Sequence, residues 1–316
     1  MRIVFMGTPA YSVPVLARLL DAGHHVAAAV TRPDRAAGRG RRLTPPPVKL
    51  YAQEHGLPVL QPPSLRRSEA VAQMAALHPQ VIVVAAYGRI LPPEVLTLPP
   101  KGVLNVHPSL IPRHRGPSPV VTALLDGDEV TGVTIILTDE GMDTGPVVAQ
   151  RREPVLPKDT ATVLTERLFH LGAELLVESL PAWEADRIAP VPQDEGKSST
   201  TRLYTKADGE MDWALSARAL ERRLRAFDAW PGCHTRWRGS GLRVLEGVAV
   251  QGGTVGHVPG DVIPMPGMAD PPVAVVTGEG ALGLVRLQLD GRRPQSAQEF
   301  LRGYRDFIGS RLPSEG

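Results

Sequence analysis

Over the first 150 of 316 residues, short continuous apolar runs alternate with stretches of helical periodicity. That alternation marks successive βα units and restricts this part of the chain to a mostly parallel sheet covered by helices. Strands are expected at Arg2 to Met6, His25 to Val30, Val81 to Ala86, Val103 to Val106 and Gly132 to Leu137. Runs such as Val81-Ile82-Val83-Val84 show no polar alternation, as strands buried on both faces require. Helices are expected at Val13 to Ala22, Val48 to Glu54, Glu69 to Leu77 and Thr160 to Leu180. The pattern predicts a Rossmann-like α/β half.

Beyond Asp186 the composition changes. Pro190, Pro192, Gly196 and the polar run Lys197-Ser198-Ser199-Thr200-Thr201 read as a linker, which divides the chain into 1–188, a linker at 189–204, and 205–316. The last part opens with a helix from about Leu215 to Phe227. Short β-rich stretches follow at Cys233 to Trp237, Leu242 to Val250, Gly260 to Ile263 and Val273 to Leu289. Ser296-Ala297-Gln298-Glu299 is a capping box that starts a final helix. Several short strands with one helix suggest a small barrel, with the oligonucleotide-binding (OB) fold as one candidate. On the first of these helices Leu220, Leu224 and Phe227 share a face, and Arg218, Arg222 and Arg225 are expected to project from the other.

Composition excludes several classes. With 42% hydrophobic and 22% charged residues the chain is an ordinary folded protein rather than a disordered or fibrous one. A single cysteine, Cys233, forbids an intrachain disulfide and a cysteine-cluster metal site, and fits a reducing compartment such as the cytoplasm. No apolar stretch is long enough for a membrane span or a secretory signal. The formal net charge of +2 conceals one strongly basic segment: Arg32, Arg35, Arg39, Arg41, Arg42 and Lys49 are opposed only by Asp34, so 31–49 carries +5. Its glycines and prolines read as an exposed loop, either a solvated basic loop or a phosphate grip.

Two strand ends carry candidate chemistry. Asn105 and His107, two residues apart at the end of an expected strand, project on one side of an extended chain. Ligands of open α/β sheets bind beyond strand carboxyl ends, where an amide donates to a developing oxyanion and an imidazole moves a proton. The loop Asp139-Glu140-Gly141-Met142-Asp143-Thr144-Gly145 follows a second apolar run, and Asp143 is suited to orient a nearby histidine. Parallel strands would bring both loops to one sheet edge. The competing readings are a structural histidine and a turn aspartate that bonds its own backbone. Gly7 alone of a dinucleotide fingerprint is present, which argues against NAD and FAD; a P-loop, a nucleophile elbow and zinc-ligand spacings are missing, so no metal is expected.

Taken in order, Arg2 to Pro9, Thr31-Arg32-Pro33-Asp34-Arg35 through Lys49, Ala85 to Pro92, Asn105 to Pro112, Arg115-Gly116 and Thr131 to Gly145 resemble the bacterial methionyl-tRNA formyltransferases of the formyltetrahydrofolate-dependent family. Looser matches follow at Asp212-Trp213, Arg225-Ala226-Phe227 and Trp230-Pro231. The resemblance implies formyl transfer from 10-formyltetrahydrofolate to the α-amino group of methionine on initiator tRNA, with Asn105, His107 and Asp143 catalytic. It implies a folate site at Tyr87, Gly88, Ile90 and Leu91 and at Ser109, Leu110, Ile111 and Pro112, where Ile111 replaces the family's leucine. Pro108 stands where many relatives have glycine. It further implies tRNA contacts from Arg35, Arg39, Arg41 and Arg42, and from an OB-like terminal domain through Arg218, Arg222 and Arg225. Nothing implies oligomerisation, and a monomer is expected. The alternatives are a formyltransferase acting on an amino sugar nucleotide, a formyl-folate hydrolase, and a non-catalytic RNA-binding protein.

Overall fold

The computed structural model describes residues 1–37, 42–252, 254–266 and 271–313. It divides into two units, one of Met1–Pro119, Val130–Pro154 and Thr165–Thr201, the other of Val120–Glu129, Val155–Leu164 and Arg202–Gly316. In chain order the elements are β1 (Arg2–Gly7), α1 (Val13–Asp21), β2 (His25–Val30), β3 (Arg35–Ala37), β4 (Arg42–Thr44), α2 (Pro47–Glu54), β5 (Val59–Leu60), α3 (Ser68–Ala75) and β6 (Val81–Ala85). There follow α4 (Pro93–Leu96), β7 (Val103–His107), α5 (Pro119–Asp126), β8 (Val130–Leu137), β9 (Val147–Pro154) and α6 (Ala161–Glu184).

The first unit is built on a seven-stranded sheet in the order β5-β2-β1-β6-β7-β8-β9. Successive residues of its central strands point to opposite faces, and both faces are buried. Ile3, Phe5, Val81, Val83, Leu104 and Val106 pack with Leu16 and Leu19 of α1 and Phe169 and Leu176 of α6. Val4, Met6, Ile82 and Val103 pack with Met74 of α3 and Val95 of α4 on the other side. Uninterrupted apolar strands are therefore what this sheet demands. Gly7 pairs with Ala85 and Val84 with Asn105, so the carboxyl ends of β1, β6 and β7 lie side by side.

The sheet is not wholly parallel. β8 runs antiparallel to β7, with Asn105 opposite Ile136 and His107 opposite Thr134, and β9, which the sequence did not suggest, pairs with it as a hairpin. An apolar run reports burial of a strand but not its direction, because direction changes the hydrogen-bond pattern and not the side-chain period. The basic segment also differs from expectation. Arg35–Ala37 and Arg42–Thr44 form an antiparallel pair rather than a plain loop, and Lys49 Nζ is bonded to both Asp34 oxygens at 2.9 and 2.8 Å. That ion pair is neutral in itself, so the segment's formal +5 is carried by its five arginines.

The second unit holds α7 (Ala217–Ala226), β10 (Cys233–Trp237), β11 (Ser240–Val250), β12 (Val262–Pro264), β13 (Val273–Val276), β14 (Ala281–Leu289), β15 (Gln295–Ser296) and α8 (Ala297–Gly303). Its sheet is antiparallel throughout, in the order β10-β11-β14-β13-β12 with β15 on β14. The capping box forms as read: Ser296 Oγ accepts from Glu299 N, and Glu299 Oε2 accepts from Ser296 N. Trp237, Phe300 and Phe307 lock α8 to the sheet with ring centroids 5.1–5.9 Å apart. Leu220, Leu224 and Phe227 are all buried. The opposite face is not the free arginine stripe expected. Arg222 donates to the Asp126 carbonyl, and Arg225 forks onto Glu221 and reaches the Asp159 carbonyl at 3.2 Å, which leaves Arg218 as the exposed member. Helical spacing shows which way a side chain leaves its own helix and is silent about what the rest of the chain brings to meet it.

Candidate active site

β7 ends at the sheet's carboxyl edge, and its pleat puts Asn105 and His107 on one side. The chain then turns tightly. Ser109 N donates to His107 O at 2.9 Å, Ser109 Oγ donates to Arg113 O at 2.8 Å, and Thr134 Oγ1 donates to Ser109 O at 2.7 Å while accepting from Ile111 N at 3.2 Å. Gln150, on β9, holds the same turn by donating to Ile111 O and to Thr134 Oγ1 at 2.9 and 2.8 Å. These bonds return the chain so that the His114 carbonyl lies 3.0 Å from His107 Nε2.

The loop after β8 leaves the sheet at the end away from His107, where Thr138 N bonds Val103 O at 2.8 Å. It nonetheless delivers Asp143 to Asn105 and His107. Asp143 Oδ1 accepts from Asn105 Nδ2 at 3.3 Å, Oδ2 accepts from Gly116 N at 2.8 Å, and His107 Nδ1 lies 3.5 Å from Oδ2. The turn aspartate of this loop is Asp139, which accepts from Gly141 N at 3.0 Å and Thr144 Oγ1 at 2.7 Å; Asp143 is free to serve the site. Asp143 takes the left-handed conformation with φ 56°, which aspartate tolerates better than most residues. Gly116 has φ 106°, and a Cβ there would stand 2.9 Å from Thr201 Oγ1, so only glycine brings its amide up to the carboxylate.

The three groups that the sequence drew from two loops thus form one cluster, with Asn105 hydrogen-bonded to Asp143 and His107 3.5 Å from it. His107 is only 4% exposed, and both its ring nitrogens face oxygens that accept. In the tautomer with the hydrogen on Nε2 the ring donates to the His114 carbonyl, and Nδ1 faces the Asp143 carboxylate. Asn105 uses one amide N–H on Asp143 and keeps the other. An acceptor brought to this edge would meet an amide donor, an imidazole and a carboxylate.

The expected folate residues separate by exposure. Tyr87, Leu91, Ser109 and Ile111 are buried, and Tyr87 and Leu91 belong to the core beside Val4 and Met6. Gly88 and Ile90 are exposed, and Leu110 and Pro112 half-buried. Among the expected tRNA contacts, Arg35 is exposed, the side chain of Arg42 is not described, and Arg39 and Arg41 lie outside the described residues. Beside Arg35, burial and the neighbouring charges of Arg35 and Arg89 hold the Arg32 guanidinium below its ordinary range. Among the described residues no group of three or more histidine, cysteine, aspartate or glutamate side chains is placed to hold a metal, and no helix is long and apolar enough to cross a membrane.

Sequence reasoning missed several residues that shape the cluster. Gln150 carries no local signal, and Thr134 falls in the Thr131 to Gly145 match without a role of its own; both are strand residues whose partners come from the Ser109–Arg113 turn. Gln193, Glu195, Ser199 and Thr201 sit in the stretch read as a linker, yet they bond to the site's loops. A stretch rich in Ser, Thr, Pro and Gly looks alike whether it is solvated or pinned by neighbours distant in sequence.

Known proteins resemble the whole chain. A family profile described as "Formyl transferase" matches residues 1–180, and one described as "Formyl transferase, C-terminal domain" matches 204–305. A methionyl-tRNA formyltransferase of Chloroflexus aurantiacus is 49% identical over 304 residues, covering 96% of this chain and 97% of the relative. One from a Roseiflexus species is 48% identical over 313 residues, covering 99% and 95%. Among solved structures, HypX from Aquifex aeolicus in complex with tetrahydrofolic acid is similar with a TM-score of 0.65 at 19% identity; it covers 98% of this chain, which spans about half of HypX (48%). A sugar N-formyltransferase from a Shewanella species is similar with a TM-score of 0.60 at 20% identity, covering 77% and 96%. These two share the fold. By the extent of the profile match and by identity near one half over almost its full length, the chain belongs to the formyl transferase family and, within it, to the methionyl-tRNA formyltransferases.

Proposed function

We propose that this protein transfers the formyl group of 10-formyltetrahydrofolate to the α-amino group of methionine esterified to initiator tRNA. The observation that carries the proposal is the cluster of Asn105, His107 and Asp143 at the carboxyl edge of the sheet, in a chain similar from end to end to methionyl-tRNA formyltransferases. Formyl transfer is acyl transfer. The neutral amine attacks the formyl carbon, the carbonyl oxygen becomes an oxyanion, and N10 leaves with a proton. Free α-amino groups titrate at about 7.7 to 8.0, so neutral amine is available near neutral pH and no enzyme nucleophile is needed.

Each residue then has one task. The free N–H of Asn105 donates to the oxyanion, and the positive charge on His107 stabilises it. Asp143 orients His107 and assists the proton that travels from the amine toward N10. The segment Gly88 to Ile90, which follows the strand paired with β7 and has Gly88 and Ile90 exposed, and the half-buried Leu110 and Pro112 are suited to the folate ring; the buried Tyr87, Leu91, Ser109 and Ile111 hold those segments in place. Arg35, with Arg39, Arg41 and Arg42 of the same basic segment of the sequence, and Arg218 on α7 take the tRNA phosphates. The first unit has the Rossmann-like order of parallel strands, and the second is read as an OB-type sheet. The catalytic part is assigned to 1–188 and the tRNA-binding part to 205–316; a cytoplasmic location fits a role in translation initiation, and a monomer is proposed because nothing in the sequence implies oligomerisation.

The test is purified protein with 10-formyltetrahydrofolate and initiator methionyl-tRNA, with elongator methionyl-tRNA and an amino sugar nucleotide as competing acceptors. Formylated methionyl-tRNA with preference for the initiator is expected. Formylation of the sugar alone, or release of formate without transfer, would overturn the proposal.

A further inference from the structure

The segment from Gln193 to Thr201 is bonded to both loops that build the cluster. Gln193 Nε2 donates to the carbonyls of Asp143 and Gly145, at 2.9 and 2.6 Å, and so grips the backbone of the left-handed residue Asp143 itself. Gln193 Oε1 accepts from Arg115 Nε at 2.9 Å. Arg115, 5% exposed, sends its two remaining nitrogens to Glu195 at 2.9 and 2.7 Å, and this pairing holds the Glu195 carboxyl below its ordinary range. Further along, Ser199 Oγ accepts from His114 N at 2.9 Å, and Arg115 N donates to Ser199 O at 2.9 Å. Thr201 closes the strap: its N and Oγ1 both donate to Arg115 O, at 2.7 and 3.0 Å, and Oγ1 accepts from Ser118 N at 3.1 Å.

His114, Arg115 and Gly116 are the turn that offers one oxygen to His107 and one amide to Asp143. Asp143 and Gly145 belong to the loop that supplies the carboxylate. Gln193 joins the two from outside the cluster, through its donors to the loop and its acceptor to the turn. We infer that Gln193 is a positioning residue for the formyl transfer proposed above, fixing Asp143 against His107, and that the 193–201 segment is a strap of the active site rather than a spacer. The role rests on that function only for its kinetic consequence, since the geometry is a property of the folded chain.

Two substitutions separate the two halves of the Gln193 amide. Gln193→Met keeps length and removes every hydrogen bond. Gln193→Glu keeps an acceptor for Arg115, adds a charge that Arg115 welcomes, and turns an oxygen toward two carbonyl oxygens in place of the donating NH2. If Gln193 matters only by holding Arg115, Gln193→Glu is harmless. If it positions Asp143, Gln193→Glu is at least as damaging as Gln193→Met. We expect both to lower kcat about 10- to 100-fold, the scale of a misplacement near 1 Å, with KM for both substrates within about threefold. A second readout is the pair of ring 15N resonances of His107, expected to shift in both variants as the Asp143 contact loosens. Gln193→Glu with kcat within twofold of wild type and unshifted His107 resonances would overturn the inference, as would a loss carried by KM alone. Should these variants fail to fold, Ser199→Ala removes one bond from the strap to His114 N, with an expected shift of the His107 resonances and a kcat about tenfold lower; no change in either would refute the strap. A wild-type protein unable to formylate methionyl-tRNA would sink the functional proposal, while the His107 resonances would still decide the positioning role.

Discussion

Asp143→Asn isolates the carboxylate with little disturbance of the backbone, because asparagine tolerates the left-handed conformation that Asp143 holds at φ 56°. Two donors bond the native carboxylate, Gly116 N at 2.8 Å and Asn105 Nδ2 at 3.3 Å, and His107 Nδ1 lies 3.5 Å from it. An asparagine amide has only one oxygen. Kept toward Gly116 and His107, it turns its NH2 against the NH2 of Asn105, and the clash of donors is relieved only if Asn105 rotates its amide. That rotation withdraws the N–H assigned to the oxyanion, a loss worth about 2.7–4 kcal/mol, or about 10²- to 10³-fold in kcat. Replacing a charged acceptor opposite His107 with a neutral one removes about 1.5–3 kcal/mol more if the bond is charge-assisted. The two effects share one cluster and do not add in full, so a fall in kcat of about 10³-fold or more is expected, with KM for the formyl donor nearly unchanged. Single-turnover formylation of methionyl-tRNA at saturating donor measures it. A folded Asp143→Asn protein with kcat within tenfold of wild type would refute the reasoning from proton count and geometry.

Three further outcomes follow from the second unit. Arg218→Ala should lower the slope of log K for tRNA against log salt by about 0.9 if it neutralises one phosphate. Arg225→Ala, whose guanidinium is taken by Glu221 and Asp159, should leave that slope alone and destabilise the fold by about 1 kcal/mol, read by urea unfolding. Burial pushes the Cys233 thiol up from 9.0 to about 12. Below pH 9 the thiol is neutral folded or unfolded; from there to about 12 only the unfolded thiol ionises, so stability falls with rising pH by about 1.4 kcal/mol per unit. The stability difference between wild type and Cys233→Ala should therefore narrow at that rate above pH 9, and a pH-independent difference would contradict it.

The nature of the elements was legible because burial leaves a periodic trace. β1, β6 and β7 read as strands covered on both faces, and Leu220, Leu224 and Phe227 as a helix face turned inward, since side-chain polarity must match the side on which each residue lies. Asn105 and His107 were legible as a pair for the same reason: residues i and i+2 of a strand share a side whatever the rest of the chain does. Asp143 was legible only as a candidate, and the argument that brought it to the pair, parallel neighbouring strands, failed when β8 proved antiparallel.

Partnership between distant segments left no such trace. Gln193 lies 50 residues beyond the aspartate whose carbonyl it grips, Arg225 turns onto an acceptor 66 residues earlier, and the strap has the composition of a spacer. Local sequence sets which residues are apolar and where the backbone can bend. Which hydrogen-bonding groups meet depends on the direction of strands and the return path of loops, and side-chain polarity encodes neither, because an exposed polar group and one bonded to a remote carbonyl are the same residue until the chain closes around it.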